Sequence, residues 1–135
     1  MQTVTEIPAN VDLPFHRALG IRIGVTPHNK GVAWVDVDPQ VHFGTRWAHG
    51  GLVGALADIA SGISVAIALG EAAGSIDGTL DLKINFLRKV VDGDLTATAT
   101  VLHLGTRLAV TEVDVTNKGT PCAKALATFM LSRDR

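Results

Sequence analysis

The longest apolar stretch of the chain covers residues 51–69 and is apolar almost all round. A helix with this pattern is either a membrane span or the centre of a protein core. Asp58 lies in its middle, and a carboxylate at mid-span costs about 2.5–3.5 kcal/mol on insertion scales. The many Ala and Gly residues add little hydrophobic gain against that cost. The pattern therefore predicts a soluble protein with a central, wrapped helix and a buried carboxylate, which suggests catalysis.

Alternating apolar and polar residues predict a hairpin before this helix. A short helical turn is expected at residues 15–19, ending at Gly20. Two alternating runs follow, separated by a turn rich in Pro, Asn and Gly. A loop then leads to the central helix. The predicted strands are residues 21–25 and 32–37, and the predicted loop is residues 38–48.

Four more strands are predicted after a Gly- and Ala-rich connection at residues 70–78. In the first of them, alternation places Thr79 and Asp81 on one face and Leu80 and Leu82 on the other. Because short turns join these strands, we expect them to be antiparallel neighbours in succession. Their predicted ranges are 79–87, 95–104, 108–117 and 122–131.

The predicted order is therefore β-β-α-β-β-β-β, an α+β architecture with one long central helix wrapped by a strongly bent antiparallel sheet. The polar residues 1–14, which include Pro8 and Pro14, are expected to form a flexible N-terminal lead-in. Residues 15–135 are expected to form a single domain.

Composition narrows the classes of function. The chain has 135 residues, of which 47% are hydrophobic and 19% charged, so it can form one domain with a sizeable core. The net charge of −1, without a basic patch, argues against a nucleic-acid partner. A single cysteine, Cys122, excludes an intrachain disulfide and a Cys-cluster metal site, and is expected to be a buried thiol. The N-terminus lacks the features of a signal peptide, so a cytoplasmic location is expected.

Candidate chemistry converges on the start of the central helix. The turn His49-Gly50-Gly51 lets a ligand approach the backbone, and a helix N-terminus presents unpaired N–H groups that stabilise an oxyanion. Asp58 lies roughly 10 Å along the axis from Gly51, at about 1.5 Å per residue. One helix cannot bring both groups to one atom, but two helices side by side in a symmetric dimer can. Each feature also has a non-functional interpretation: an ordinary Gly-Gly turn, a surface histidine or an exposed aspartate. The co-occurrence of the three features indicates a candidate acyl-transfer site.

The stretch HGGLVGALADIASG resembles the HGG motif and helix of hotdog-fold acyl-CoA thioesterases of the phenylacetate-degradation type. The interval from His49 to Asp58 matches that family. The resemblance continues through TLDLKINFLRKV and LAVTEVDVTNKG, and it covers about residues 15–131.

The resemblance implies a hotdog fold, a homodimer with a continuous sheet that pairs into a homotetramer, and hydrolysis of an acyl-CoA thioester without a metal or separate cofactor. It implies that the Gly50 N–H polarises the thioester carbonyl and that His49 holds the loop or hydrogen-bonds near that carbonyl. Asp58 of the facing chain would act as general base or as nucleophile. Thr79 stands where relatives carry a Ser or Thr that positions the water or the aspartate.

The resemblance also implies two segments that line the CoA tail. Arg88, Lys89 and Arg107 are candidates for its phosphates, because arginine suits phosphate recognition. The alternative is that each is a solvated charge at a strand end. The two segments are Phe86, Leu87, Arg88, Lys89, Val90 and Val91, and His103, Leu104, Gly105, Thr106, Arg107 and Leu108.

One position departs from the family pattern. Relatives usually have an asparagine six residues before the HGG histidine, where this chain has Phe43. His42 and Arg46 are polar neighbours that could substitute for it. Trp47 could shape an acyl or aryl pocket, or be a core anchor.

Two other functions fit the same fold. The Phe43 departure favours a non-catalytic acyl-CoA binding protein or sensor. A hotdog dehydratase or hydratase would use a histidine and an acidic residue as an acid/base pair, but the HGG turn fits a thioesterase better. A transcriptional regulator would need an added DNA-binding helix pair, for which no residues remain.

Overall fold

The computed structural model describes residues 3–8, 13–70 and 75–132. Within these ranges it confirms the predicted α+β architecture, with one long helix packed on a seven-stranded antiparallel sheet. The elements in chain order are β1 (Thr5–Glu6), α1 (Pro14–Leu19), β2 (Arg22–Val25), β3 (Gly31–Asp36), α2 (Pro39–His42), α3 (Gly50–Leu69), β4 (Ser75–Phe86), β5 (Asp94–Leu104), β6 (Leu108–Asn117) and β7 (Thr120–Ser132).

The order of strands in the sheet is β1-β2-β3-β5-β6-β7-β4, with antiparallel pairing throughout. The prediction that the last four strands are successive neighbours is therefore wrong for β4, which lies at the far edge beside β7 and does not pair with β5. The connection between β4 and β5 crosses the end of the sheet instead. Leu87 N–H donates to the Cys122 carbonyl on one side, and the Gly93 carbonyl accepts from Val37 N–H on the other.

One face of α3 packs on the sheet and the opposite face is left partly exposed in the single chain. The prediction of a helix without an exposed face is therefore wrong for one copy of the chain. By length and composition alone α3 could span a membrane; half of its apolar window is buried within the protein. Its buried residues are Leu52, Val53, Leu56, Ala57, Ala60, Ser61, Ser64, Val65 and Leu69.

A close contact fixes where α3 crosses the sheet. Ser64 Oγ accepts from Gly31 N–H at 2.7 Å and donates to the Ala99 carbonyl at 2.8 Å, so one buried hydroxyl joins the helix to β3 and β5. A Cβ added at Gly31 would collide with the Ala60 carbonyl. The absence of a side chain at Gly31 is thus what lets β3 lie directly against the helix backbone.

Three short features were not predicted. Strand β1 pairs with β2 inside the segment expected to be a flexible lead-in, of which residues 1–2 and 9–12 lie outside the described residues. Helix α2 interrupts the predicted loop: Pro39 is at its first position and Asp38 Oδ1 caps it by accepting from Gln40 N–H at 2.9 Å. Strand β4 begins before Thr79, and residues 71–74 of the predicted connection lie outside the described residues.

Candidate active site

The HGG turn forms the N-terminus of α3. His49 is the N-cap residue: its Nδ1 accepts from Gly51 N–H at 2.8 Å and its carbonyl accepts from Leu52 N–H at 2.9 Å. An accepting Nδ1 means that neutral His49 carries its proton on Nε2. A Cβ added at Gly51 would lie only 2.9 Å from His49 Nδ1, so the second glycine makes room for this cap.

Gly50 offers an open backbone donor. Its N–H is the first of the helix, and within the described part of the chain no group accepts from it. The ring of Phe86 lies beside it, 3.3 Å from where a Cβ would be. Because the helix dipole adds partial positive charge at this point, the Gly50 amide is suited to stabilise a developing oxyanion.

Asp58 lies two turns further along α3, where its side chain is partly buried. Thr79 Oγ1 on β4 donates to its Oδ1 at 2.7 Å. The interval from Gly50 to Asp58 corresponds to about 12 Å along the helix axis. The carboxylate and the amide of one chain therefore cannot meet at one substrate atom.

Strand β4 follows one stripe of α3. Phe86 lies beside Gly50, Ile84 lies 3.3 Å from where a Cβ on Gly54 would be, and Thr79 reaches Asp58. This stripe consists of Gly50, Gly54 and Asp58, which are four residues apart and so lie on one helix face. The glycines let the strand approach closely, which brings the Thr79 hydroxyl to the carboxylate.

Two β-bulges orient Thr79. In the pairing of β4 with β7, Asp77 and Leu80 are each an extra residue without a partner. Between these bulges the alternation is inverted, so Thr79 pairs with the buried Phe129 and faces the helix, while Leu80 is 52% exposed. The prediction that placed Thr79 on the same face as Asp81 is therefore wrong, because a bulge shifts the phase of a strand.

An apolar groove of about 370 Å³ opens beside Gly50. Trp47 forms one wall; its side chain is 44% exposed, and Lys89 Nζ lies 5.5 Å from its ring centroid. Five of the six residues predicted in the first CoA segment line the groove, and Val91 does not. The lining consists of Trp47, Ala48, Gly50, Val53, Phe86, Leu87, Arg88, Lys89 and Val90.

The second predicted CoA segment is at the other end of the molecule. The Arg107 carbonyl accepts from Leu131 N–H at 2.8 Å, and the neighbouring Ala109 packs with Leu69 at the C-terminus of α3. A helix of 20 residues is about 30 Å long. The structure therefore does not bring residues 103–108 together with Gly50 in one chain, and the predicted role of this segment would require a neighbouring chain.

His42 does not replace the missing asparagine. It is buried, and its Nδ1 accepts a hydrogen bond from Asp38 N–H at 2.9 Å. Its Nε2–H donates a hydrogen bond to the Leu19 carbonyl at 2.7 Å. Both ring nitrogens thus hold α2 in place. Arg46 is exposed. Within the described residues, no group of three or more His, Cys, Asp or Glu side chains is placed to hold a metal ion.

One long helix packed on an antiparallel sheet is the arrangement found in hotdog-fold enzymes. The profile of the thioesterase superfamily matches residues 47–124, which include the HGG turn, Asp58 and Thr79. The chain belongs to this superfamily and is a thioester hydrolase.

Individual relatives agree with this placement. The medium/long-chain acyl-CoA thioesterase YigI from Salmonella typhimurium is 29% identical, over 88% of this chain and 86% of that protein. The crystal structure of a thioesterase from Haemophilus influenzae is 26% identical with a TM-score of 0.81, over 93% of this chain and 85% of the other. A mutant of the phenylacetic acid degradation protein PaaI from Thermus thermophilus is 27% identical with a TM-score of 0.73, over 87% of this chain and 98% of the other.

Proposed function

We propose that this protein hydrolyses an acyl-CoA thioester to a free acid and CoA, at a site shared between two chains. The observation that carries the proposal is the stripe of α3 that presents both the open Gly50 amide and the Thr79-bound Asp58 on a partly exposed face. Their separation along the helix requires that Gly50 of one chain works with Asp58 of its partner.

Asp58 could act in either of two mechanisms. As a general base, Asp58 takes a proton from water while the water oxygen attacks the thioester carbon. As a nucleophile, its carboxylate attacks that carbon directly and forms an anhydride, which water then hydrolyses. In both mechanisms the C–S bond breaks, CoA leaves and takes up a proton as the free thiol, and the Gly50 N–H stabilises the carbonyl oxygen as it gains charge.

A symmetric dimer would complete the site. Strand β4 has β7 on one side and is the edge strand on the other. Pairing of two β4 edges would join the sheets and set two α3 helices side by side, and the open position at Gly62 of each helix would allow close approach. Three apolar side chains that are 42–45% exposed, Leu108, Leu126 and Met130, support further pairing of dimers into a tetramer.

The acyl-CoA substrate is supported by the names of the relatives and by the groove itself. An apolar channel beside Gly50 that ends at Arg88 and Lys89 suits a thioester whose far end carries phosphates. The proposed mechanism uses no metal and no cofactor other than the CoA of the substrate. A cytoplasmic location fits an acyl-CoA substrate.

A second candidate is a non-catalytic acyl-CoA sensor. Phe43 occupies the position of the usual asparagine, and His42 is held by two structural hydrogen bonds. If the missing amide is essential, the site would bind thioesters without cleaving them. Thiol release measured beside a binding titration separates the two functions, since a sensor would bind without release.

The test is a screen of short, long, aryl and branched acyl-CoAs for thiol release, with Asp58→Asn and Asp81→Asn compared on the best substrate. Asp81→Asn removes the same charge from the exposed side of β4. We expect Asp58→Asn to fold normally and to lose about 100-fold or more in kcat, as for removal of a general base. Turnover by Asp58→Asn at the wild-type rate would overturn the mechanism.

A further inference from the structure

Two neighbouring cavities share a wall. The groove beside Gly50 and a second cavity of about 540 Å³ are both lined by Arg88 and Lys89. The second cavity extends to the turn between β6 and β7, where Lys118 lines it. A molecule anchored at the Gly50 amide can therefore continue past Arg88 into a second compartment within the same chain.

The second cavity is locally basic. Arg88, Lys89 and Lys118 contribute three positive charges to its wall, and Asp92 contributes one negative charge. The chain as a whole has a net charge of −1. An excess of positive charge in one concave region raises the local concentration of anionic ligands.

The side chain of Lys118 is held in position before any ligand binds. Its backbone has φ 51°, and its stem lies on Gly93, where an added Cβ would be 2.8 Å from Lys118 Cγ. Its ammonium group forms an ion pair with Asp92, in which the two side chains are 57% and 67% exposed. Exposed pairs of this kind contribute little stability, so an entering phosphate can compete for the ammonium group.

Asn117 fixes the turn to the opposite wall. Its Nδ2 donates to the carbonyls of Asp92 and Asp94, at 2.8 Å each. The turn between β6 and β7 and the connection between β4 and β5 are thereby tied together. The cavity between Arg88 and Lys118 is thus bounded by two segments that hydrogen bonds hold at a fixed spacing.

We propose that Lys118 is a substrate-binding residue that contacts a phosphate group of the CoA nucleotide, with the pantetheine arm lying in the groove beside Gly50. This inference rests on the proposed acyl-CoA substrate. It assigns the β6–β7 turn, which the family resemblance did not implicate, to recognition of the phosphorylated end of the substrate.

The test measures binding of CoA and of pantetheine by calorimetry to the wild-type protein, Lys118→Gln and Lys124→Gln. Lys124 is a matched control, because it is also a partly exposed, ion-paired lysine but does not line the cavity. We expect Lys118→Gln to weaken CoA binding about tenfold, the effect of about 1.4 kcal/mol, and to leave pantetheine binding unchanged. Lys118→Arg should restore CoA binding.

Two outcomes overturn the inference: CoA binding by Lys118→Gln that equals that of Lys124→Gln, or an equal loss for CoA and pantetheine. Thermal unfolding of each variant checks that the turn is intact. Because binding of CoA needs no turnover, failure here is separate from failure of the proposed hydrolysis, which the Asp58→Asn assay reports.

Discussion

Thr79 Oγ1 donates a hydrogen bond to Asp58 Oδ1 at 2.7 Å, across the space between the edge strand and the central helix. This bond uses one lone pair of one carboxylate oxygen and leaves Oδ2 available to a water or a thioester. It also fixes the rotamer of Asp58 on the helix face that a partner chain would cover. The edge strand is therefore part of the candidate site.

Replacement of Thr79 by valine removes this hydrogen bond and keeps the shape of the side chain. We expect Thr79→Val to lower kcat about 10- to 100-fold, because a hydrogen bond to a charged group is worth about 1.5–3 kcal/mol and the carboxylate loses its orientation. Thr79→Ser keeps the hydroxyl and should restore most of the rate. Steady-state thiol release measures both variants, and an equal loss in the two would contradict a role for the hydroxyl.

His49 stabilises the start of α3. Its Nδ1 accepts from Gly51 N–H, so His49→Ala should lower the free energy of unfolding by about 1 kcal/mol, as for loss of a helix N-cap. His49→Asn supplies another capping oxygen and should recover the stability. Urea unfolding followed by circular dichroism measures the difference. If Asn fails to restore stability, the imidazole does not act as a cap.

Cys122 should be unreactive in the folded protein. The residue is 2% exposed, and burial raises the pKa of its thiol, against a smaller opposite effect of Arg88. Little thiolate is therefore present near pH 8, and its fraction grows only as the pH rises further. We expect Ellman's reagent to modify the native chain slowly and the chain unfolded in guanidinium stoichiometrically. Rapid stoichiometric modification of the native chain would show that the thiol is accessible.

The elements with strong periodicity were predictable. The apolar run of α3 and the alternation of β5, β6 and β7 placed these elements to within a few residues, because they pack apolar residues into the buried core. Alternation tells which face a residue occupies but not which strand is its neighbour. The position of β4 at the edge beside β7 could therefore not be predicted from turn lengths.

The position of Thr79 in the candidate site depends on two β-bulges in β4. The bulges at Asp77 and Leu80 invert the phase of Thr79. Gly78 lies between them and is a residue type that often marks a bulge, but the predicted strand began only at Thr79. The HGG motif placed the start of the helix to within one residue, since α3 begins at Gly50. The Phe86 ring beside Gly50 could not be predicted, because it depends on how closely β4 approaches the helix.

The central claim is that Gly50 and Asp58 act on one substrate from two different chains, and mixing of inactive variants tests it. Gly50→Pro removes the N–H and is compatible with the helix start, since proline is favoured at the first position of a helix and His49 already has the extended backbone that precedes proline. Gly50→Ala is the matched control that adds a side chain and keeps the N–H.

Gly50→Pro and Asp58→Asn homodimers should each be nearly inactive. After the two proteins are unfolded together and refolded, a mixed dimer holds one site with an intact amide from one chain and an intact carboxylate from the other. We therefore predict that thiol release reappears in the mixture, at about a quarter of the wild-type rate if chains pair at random. A mixture as inactive as its two parents, with mixed dimers shown by native mass spectrometry, would contradict the shared site.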